Sequence, residues 1–178
     1  DDVESIRRFH GECVIMAKLQ TGGISHPNIV QMMYCCWKSS LMLILEYYEL
    51  GSLSEALKVC NYNPMAYGER VSWLNGEKEG VLLKLVKGVC KGMQHIHAHG
   101  IVHLDLKADN ILIDSKRNAL PLEWKARVSD FGVATESNQY PGTNLQLGTS
   151  LYVSPEMLRS DLVGTPADVY SFAITLLD

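Results

Sequence analysis

His103-Leu104-Asp105-Leu106-Lys107-Ala108-Asp109-Asn110, followed further along by Asp130-Phe131-Gly132, decides how this chain is read. One short loop there offers a carboxylate at Asp105, an ammonium two residues on at Lys107 and an amide oxygen five residues on at Asn110. A second carboxylate, Asp130, arrives after two short strand candidates, Ile111-Leu112-Ile113 and Ala126-Arg127-Val128-Ser129. Transfer of a phosphoryl group to a hydroxyl needs such a set. A carboxylate orients and deprotonates the hydroxyl, a cation sits at the moving phosphate, and oxygen ligands hold Mg²⁺ between the phosphates.

Outward from that loop the chain alternates short strands with amphipathic helices. Ile6, Phe9, Cys13, Met16 and Leu19 recur at helical spacing and predict a helix that ends before Gly22-Gly23. Gly11 inside it costs about 1 kcal/mol against alanine, so the helix depends on tertiary packing. Ile29 to Trp37 and Leu41 to Tyr47, separated by Lys38-Ser39-Ser40, read as a hairpin. Glu49-Leu50-Gly51-Ser52 is a turn, and a helix follows from Leu53 to about Val59. Asn61 to Gly80 is polar and glycine-containing, a loop or insertion. Leu82, Val86, Val89, Met93 and Ile96 form a second helical stripe, and Asn118 to Lys125 is a lengthened connection. Asp168 to Leu177 is a strongly apolar helix candidate.

Composition excludes several classes. With 47% hydrophobic and 20% charged residues, the 178-residue chain is ordinary for a globular protein, one core or a large piece of one. A net charge of -4 gives no general attraction to nucleic acid or to anionic membranes. The longest apolar run, Leu41 to Leu45, is far short of the ~20 residues that cross a bilayer. Five cysteines, Cys13, Cys35, Cys36, Cys60 and Cys90, with no CxxC, read as reduced core thiols of a cytosolic-type domain. His95 and His99 lie one helical turn apart, but Ile96 stands where a zinc HExxH helix needs glutamate, so a metal reading is rejected.

An Asp-Asn pair in a loop is ordinarily turn chemistry or a helix cap. Here the flanking motifs decide otherwise, because they occur in order along the whole chain. The pattern H-x-D-x-K-x-x-N … D-F-G closely resembles the catalytic and metal loops of eukaryotic-type protein kinases. Gly148-Thr149-Ser150-Leu151-Tyr152-Val153-Ser154-Pro155-Glu156 resembles the end of a kinase activation segment, and Asp168-Val169-Tyr170-Ser171-Phe172 the start of the buried helix after it. His26-Pro27-Asn28-Ile29-Val30 matches the turn after the regulatory helix, and Glu46-Tyr47-Tyr48-Glu49-Leu50-Gly51-Ser52-Leu53 the hinge. His97 to His103 resembles the family's entry into the catalytic loop.

The resemblance implies an α+β, two-lobed fold, incomplete here. Residues 1–50 would be a partial small lobe and residues 51–178 a partial, mostly helical large lobe. It implies Asp105 as base, Lys107 at the transferred phosphate, and Asn110 and Asp130 as Mg²⁺ ligands. Glu12 would pair with the ATP-binding lysine, although Thr21-Gly22-Gly23-Ile24-Ser25 lengthens its spacing to His26. Glu46 and Tyr48 would present hinge backbone to adenine, with Leu45 as gatekeeper and Leu112 also in the nucleotide-contacting set. Thr149 would bond to Asp105 and Lys107. Met16, Met32, His103 and Phe131 would stack as a spine anchored on Asp168.

Three departures qualify the resemblance. No glycine-rich loop or Val-Ala-x-Lys strand precedes Glu12, and the chain stops inside the helix begun by Asp168. Both ends, the first of them Asp1-Asp2 rather than Met, read as cuts in a longer gene product, and this piece alone is expected to be inactive. Leu104 stands where most of the family has arginine. The expected activity of the intact parent is ATP-dependent phosphorylation of protein serine/threonine. Lys107 two residues after Asp105, and Gly148-Thr149-x-x-Tyr152, favour Ser/Thr over Tyr, and the hinge Gly-Ser-Leu suggests the tyrosine-kinase-like group. The implied partners are ATP, Mg²⁺ and a protein substrate, with neither nucleic acid nor membrane contact from this segment. The kinase segment is expected to be cytoplasmic, whether or not the parent is membrane-anchored. The alternatives are a pseudokinase acting as a nonenzymatic binding module, or a truncated product competing for partners.

Overall fold

Helix α1 (Asp2–Lys18) carries the first apolar stripe, in a computed structural model that describes residues 2–37, 40–62, 80–115, 123–137, 151–159 and 163–177. Cys13, Met16 and Leu19 are buried together with Ile15, whereas Ile6 is exposed. Only the C-terminal half of the stripe therefore reaches the core. Gly22-Gly23, read as a helix stop, does more. Both glycines have positive φ, +60° and +80°, and they join strands β1 (Gln20–Thr21) and β2 (Ile24–Ser25) in a tight antiparallel hairpin.

The expected second hairpin is present, with strands shorter than the apolar runs: β3 (Met32–Cys36) and β4 (Met42–Leu45). The register shifts between Met32 and Tyr34, a bulge that interrupts the alternation. Lys38 and Ser39 of its connection lie outside the described residues. Helix α2 (Leu53–Tyr62) begins at a reciprocal cap. The Glu55 N–H donates to Ser52 Oγ at 3.2 Å, and the Ser52 N–H donates to Glu55 Oε2 at 2.8 Å. It runs to Tyr62, past the expected end at Val59, and of the expected loop Asn61–Gly80 residues 63–79 lie outside the described residues.

Helix α3 (Val81–Ala98) buries Val81, Leu85, Val89, Met93 and Ile96. Leu82 and Val86, expected on that stripe, are half-buried beside it, lining a groove with Leu53 and Leu57 of α2. A second feature of α3 escaped the periodicity. A Cβ on Gly92 would sit 2.6 Å from the Asn28 carbonyl oxygen, so glycine there lets the helix touch the 26–30 loop. The Asn28 side chain completes the junction by donating to the Ala126 carbonyl at 2.9 Å.

After α3 come β5 (Ile101–Val102), a 3₁₀ turn at Ala108–Asn110, β6 (Ile111–Asp114), β7 (Lys125–Val128) and β8 (Thr135–Glu136). β6 pairs antiparallel with β7, Ile111 opposite Val128, and β5 pairs with β8. Of the connection Asn118–Lys125, residues 118–122 lie outside the described residues. Helices α4 (Pro155–Leu158) and α5 (Thr165–Thr175) follow. α5 begins before Asp168, the expected start, because Pro166 opens its first turn. The architecture is mixed helix and strand in small antiparallel sheets, the α+β class expected.

One apolar cluster runs from Ile15, Met16 and Leu19 through Ile29 and Val30 to α3, the β6–β7 hairpin and Phe131. A second gathers Val102, Leu104, Val153, Met157, Val163 and Ala167. The cysteines differ from the core reading. Cys13 is buried, Cys35 and Cys36 are half-buried, and Cys90 is exposed.

Candidate active site

The loop after β5 is shaped from beneath by one buried carboxylate. Asp168, 1% exposed, accepts from the His103 N–H at 2.9 Å, the Leu104 N–H at 2.8 Å and His97 Nε2 at 2.8 Å. These bonds hold Leu104 at φ +68°, a left-handed conformation that disfavours any residue with a Cβ by about 1–2 kcal/mol. Its side chain compensates by burial among Val102, Val153 and Met157. Leucine at this position therefore joins the segment carrying Val153 and Met157 through apolar packing.

The turn directs Asp105 inward. Its Oδ2 accepts from Lys107 Nζ at 2.7 Å and from Asn110 Nδ2 at 2.9 Å, and Nδ2 also donates to the Asp105 carbonyl at 2.8 Å. Oδ1 is buried and has no hydrogen-bond partner among the described residues. A buried carboxylate oxygen left without a donor is costly unless a ligand supplies one. Asp105, Lys107 and Asn110 are thus brought together, with one acceptor open.

Asp130 is placed beside them by Ser129. The Ser129 N–H donates to the Asn110 carbonyl at 2.9 Å, and its hydroxyl to the same oxygen at 3.0 Å. Asp130 then turns into the left-handed region at φ +63° and stays exposed, its Oδ1 accepting from the Gly132 N–H at 3.2 Å. The commitment of Asn110 Nδ2 to Asp105 leaves its amide oxygen as the group that can serve a ligand, beside the exposed Asp130 carboxylate as a second oxygen donor. Two hard oxygen donors of this kind suit Mg²⁺. Among the described residues no group of three or more His, Cys, Asp or Glu side chains forms a metal site. The His95 ring stacks on His26, centroids 5.0 Å apart, and lies tilted against His99 at 4.3 Å.

Glu12 faces this centre from α1. Burial first, and then the Asp130 charge, push its carboxyl above the usual range, while a hydrogen bond with the Phe131 backbone pulls it back. The His103 ring lies 5.2 Å from the Phe131 ring, and its Nε2 bonds the Ser129 carbonyl at 2.9 Å. Met16, His103 and Phe131 are all buried, and Met32 packs against the same cluster.

Leu45 ends β4, half-buried, and the exposed Glu46 donates its N–H to the Gln31 carbonyl at 2.9 Å. Tyr48 is buried and its hydroxyl donates to Glu46 Oε2 at 2.9 Å. Leu112 bridges to Ser52 below this segment. Thr149 lies outside the described residues. The segment after it is tied down where Ser171 Oγ donates to the Tyr152 carbonyl at 2.7 Å. Arg8, one helical turn before Glu12, pairs with Glu4 at 3.4 Å. Ser129 and Gly92 carried no signal in the sequence, since their importance lies in what they meet across the fold.

Comparison with known proteins agrees with this geometry. The protein kinase domain family matches residues 1–178. An L-type lectin-domain containing receptor kinase V.7 of Arabidopsis thaliana is 34% identical over 175 residues, 94% of this chain and 24% of the relative. A probable serine/threonine-protein kinase mkcC of Dictyostelium discoideum is 30% identical over 154 residues, 86% of this chain and 15% of the relative. The serine/threonine-protein kinase PBL13 of Arabidopsis thaliana is 30% identical over 185 residues, 100% of this chain and 32% of the relative. The chain thus spans about a third or less of these proteins. With its catalytic-loop carboxylate, its paired amide and its second carboxylate in one place, the chain belongs to the protein kinase domain family.

Proposed function

We propose that the protein containing this chain transfers the γ-phosphoryl group of ATP to serine or threonine hydroxyls of protein substrates. The observation that carries this reading is Asp105 Oδ1, a buried acceptor with no partner among the described residues beside a fully engaged Oδ2. A substrate hydroxyl donating there gives up its proton as its oxygen attacks phosphorus. Lys107, already beside the carboxylate, is placed to meet the charge of the moving phosphate. Asn110 and Asp130 would hold Mg²⁺, which when bound neutralises phosphate charge.

Glu46 and Tyr48 would offer backbone groups to adenine, with Leu45 and Leu112 at its edges. Glu12 would pair with the ATP-binding lysine, whose charge would pull the carboxyl back down against the burial and the Asp130 charge that raise it. Thr149 would bond to Asp105 and Lys107 and shape the peptide-docking loop. The boundary near residue 50 would divide a small lobe from a large one. Serine/threonine selectivity is supported by Lys107, by Gly148-Thr149-x-x-Tyr152 and by the names of the relatives. Among the described residues no helix is long and apolar enough to cross a membrane.

The test is phosphate transfer from radiolabelled ATP to paired Ser-, Thr- and Tyr-containing peptides, using the full-length protein and its Asp105→Asn variant. Transfer to Ser and Thr peptides that is lost by ~10²–10⁴-fold in the variant supports the assignment. Nucleotide binding without transfer by either protein means a nonenzymatic binding module instead.

A further inference from the structure

Arg127 lies in β7 and is bound to three different elements at once. Asp114 of β6 takes two of its donors, Nε at 3.1 Å and Nη2 at 2.7 Å. Nη1 reaches the Ile29 carbonyl at 3.4 Å, in the loop after the β1–β2 hairpin. The guanidinium carbon lies over the Tyr48 ring, 5.4 Å from its centroid. That ring is 6% exposed, and its hydroxyl is spent on Glu46. A guanidinium that gives two N–H groups to one carboxylate oxygen and a third to a backbone carbonyl while its carbon sits over an aromatic ring does what a lysine ammonium cannot. The ring is therefore caught between a pinned cation behind it and a carboxylate ahead of it, within the segment Glu46–Tyr48.

We propose that Arg127 is a positioning residue for the nucleotide: it clamps the Tyr48 ring, fixes the backbone of Glu46–Tyr48, and so sets ATP affinity without touching ATP. The inference rests on the proposed reading of that segment as the adenine-binding edge. The clamp is stiff because Asp114 Oδ2 takes two of the guanidinium N–H groups and the Ile29 carbonyl a third, with both charged side chains half-buried. Loss of the stack frees the Tyr48 ring to change rotamer, and its backbone then moves with it.

The experiment uses the full-length protein and four variants, Arg127→Met, Arg127→Lys, Tyr48→Leu and the Arg127→Met/Tyr48→Leu double. Mg-ATP affinity is measured by displacement of a fluorescent ATP analogue, alongside kcat, KM for ATP and the urea unfolding midpoint. A lost cation–π stack of this kind predicts Kd and KM for ATP raised about three- to tenfold in both Arg127 variants. Their kcat at saturating ATP stays within about twofold, since no reacting group has moved. Arg127→Lys fails to rescue, because charge alone does not restore the plane. The double variant binds ATP no more weakly than the worse single variant, because both remove one interaction. A lower urea midpoint with unchanged Kd makes Arg127 a merely structural pair and overturns the proposal, as does an additive double variant. A wild-type protein that binds no nucleotide overturns the hinge reading and this inference with it. Wild-type binding matched by the Arg127 variants overturns this inference alone.

Discussion

Asp168→Asn tests whether one buried carboxylate builds the catalytic loop from below. In the native fold Oδ2 takes the His103 N–H and His97 Nε2, while Oδ1 takes the Leu104 N–H. Asparagine supplies a single acceptor. With its oxygen toward His103 and His97, its NH₂ meets the Leu104 N–H head-on, and a buried donor is left unsatisfied at about 1–3 kcal/mol. The two surviving bonds also lose their charge assistance, so the total is about 2–4 kcal/mol. Against a typical domain stability of about 5–15 kcal/mol, this lowers the urea midpoint by about 1–2 M.

The catalytic consequence is separate from the stability loss. Without the Oδ1 bond only the burial of the Leu104 side chain offsets the cost of its φ of +68°, so the turn relaxes and carries Asp105 with it. A displacement of about 1 Å at a reacting group costs ~10² in rate, so kcat falls about 10- to 100-fold even where the protein stays folded. Urea unfolding and steady-state kinetics on the full-length protein at a temperature well below its transition measure both effects. A stability loss below about 0.5 kcal/mol together with unchanged kcat would refute the reasoning.

The two site carboxylates should separate kinetically. Asp105→Asn lowers kcat with ATP affinity nearly kept, whereas Asp130→Asn also raises KM for Mg-ATP and the Mg²⁺ concentration needed, read from magnesium titrations. Regulation follows from Leu104, buried in an apolar cluster where a phosphate-binding cation would stand, and from the absence of Lys and Arg between Asp130 and Glu156. Phosphatase treatment, checked by mass spectrometry, should change kcat/KM by no more than a few-fold. A drop of ~10³, about 4 kcal/mol, would show that a cation elsewhere reads a loop phosphate. The His26 imidazole is pushed below its usual range by burial, then by His95, Lys91 and Arg127, and its Nδ1 accepts from the Asn28 N–H. The unfolded chain therefore takes up the proton first: the stabilisation is complete above the ordinary histidine pKa of about 6.5 and is lost as pH falls through the lower folded value. Unfolding midpoints compared at pH ~7.5 and ~5.5 should fall less for His26→Gln than for wild type, and an equal fall would remove His26 as the cause.

The reading of the site was local chemistry. Asp105, Lys107 and Asn110 lie within one turn of chain, so spacing alone says they can meet, and the bonds among them at 2.7–2.9 Å are short-range consequences of that spacing. The start of α2 was legible for the same reason, because Ser52 and Glu55 cap it within four residues. Periodicity went wrong by a partial turn on α3, where Leu82 and Val86 are only half-buried and Val81 and Leu85 fill the core. An apolar stripe reports that a helix faces something, and the width of that face depends on a partner it does not encode.

The sequence by itself determined the family, and it placed Asp105, Lys107 and Asn110 within reach of one another, because both depend on residue type and near spacing. Only the tertiary structure decided how they are held. Asp168 reaches back to Leu104 and forces a left-handed turn, Ser129 joins the two loops through the Asn110 carbonyl, and Gly92 lets α3 touch Asn28. Each is a contact between residues far apart in the chain, and each depends on distances of a few tenths of an ångström that no linear pattern carries.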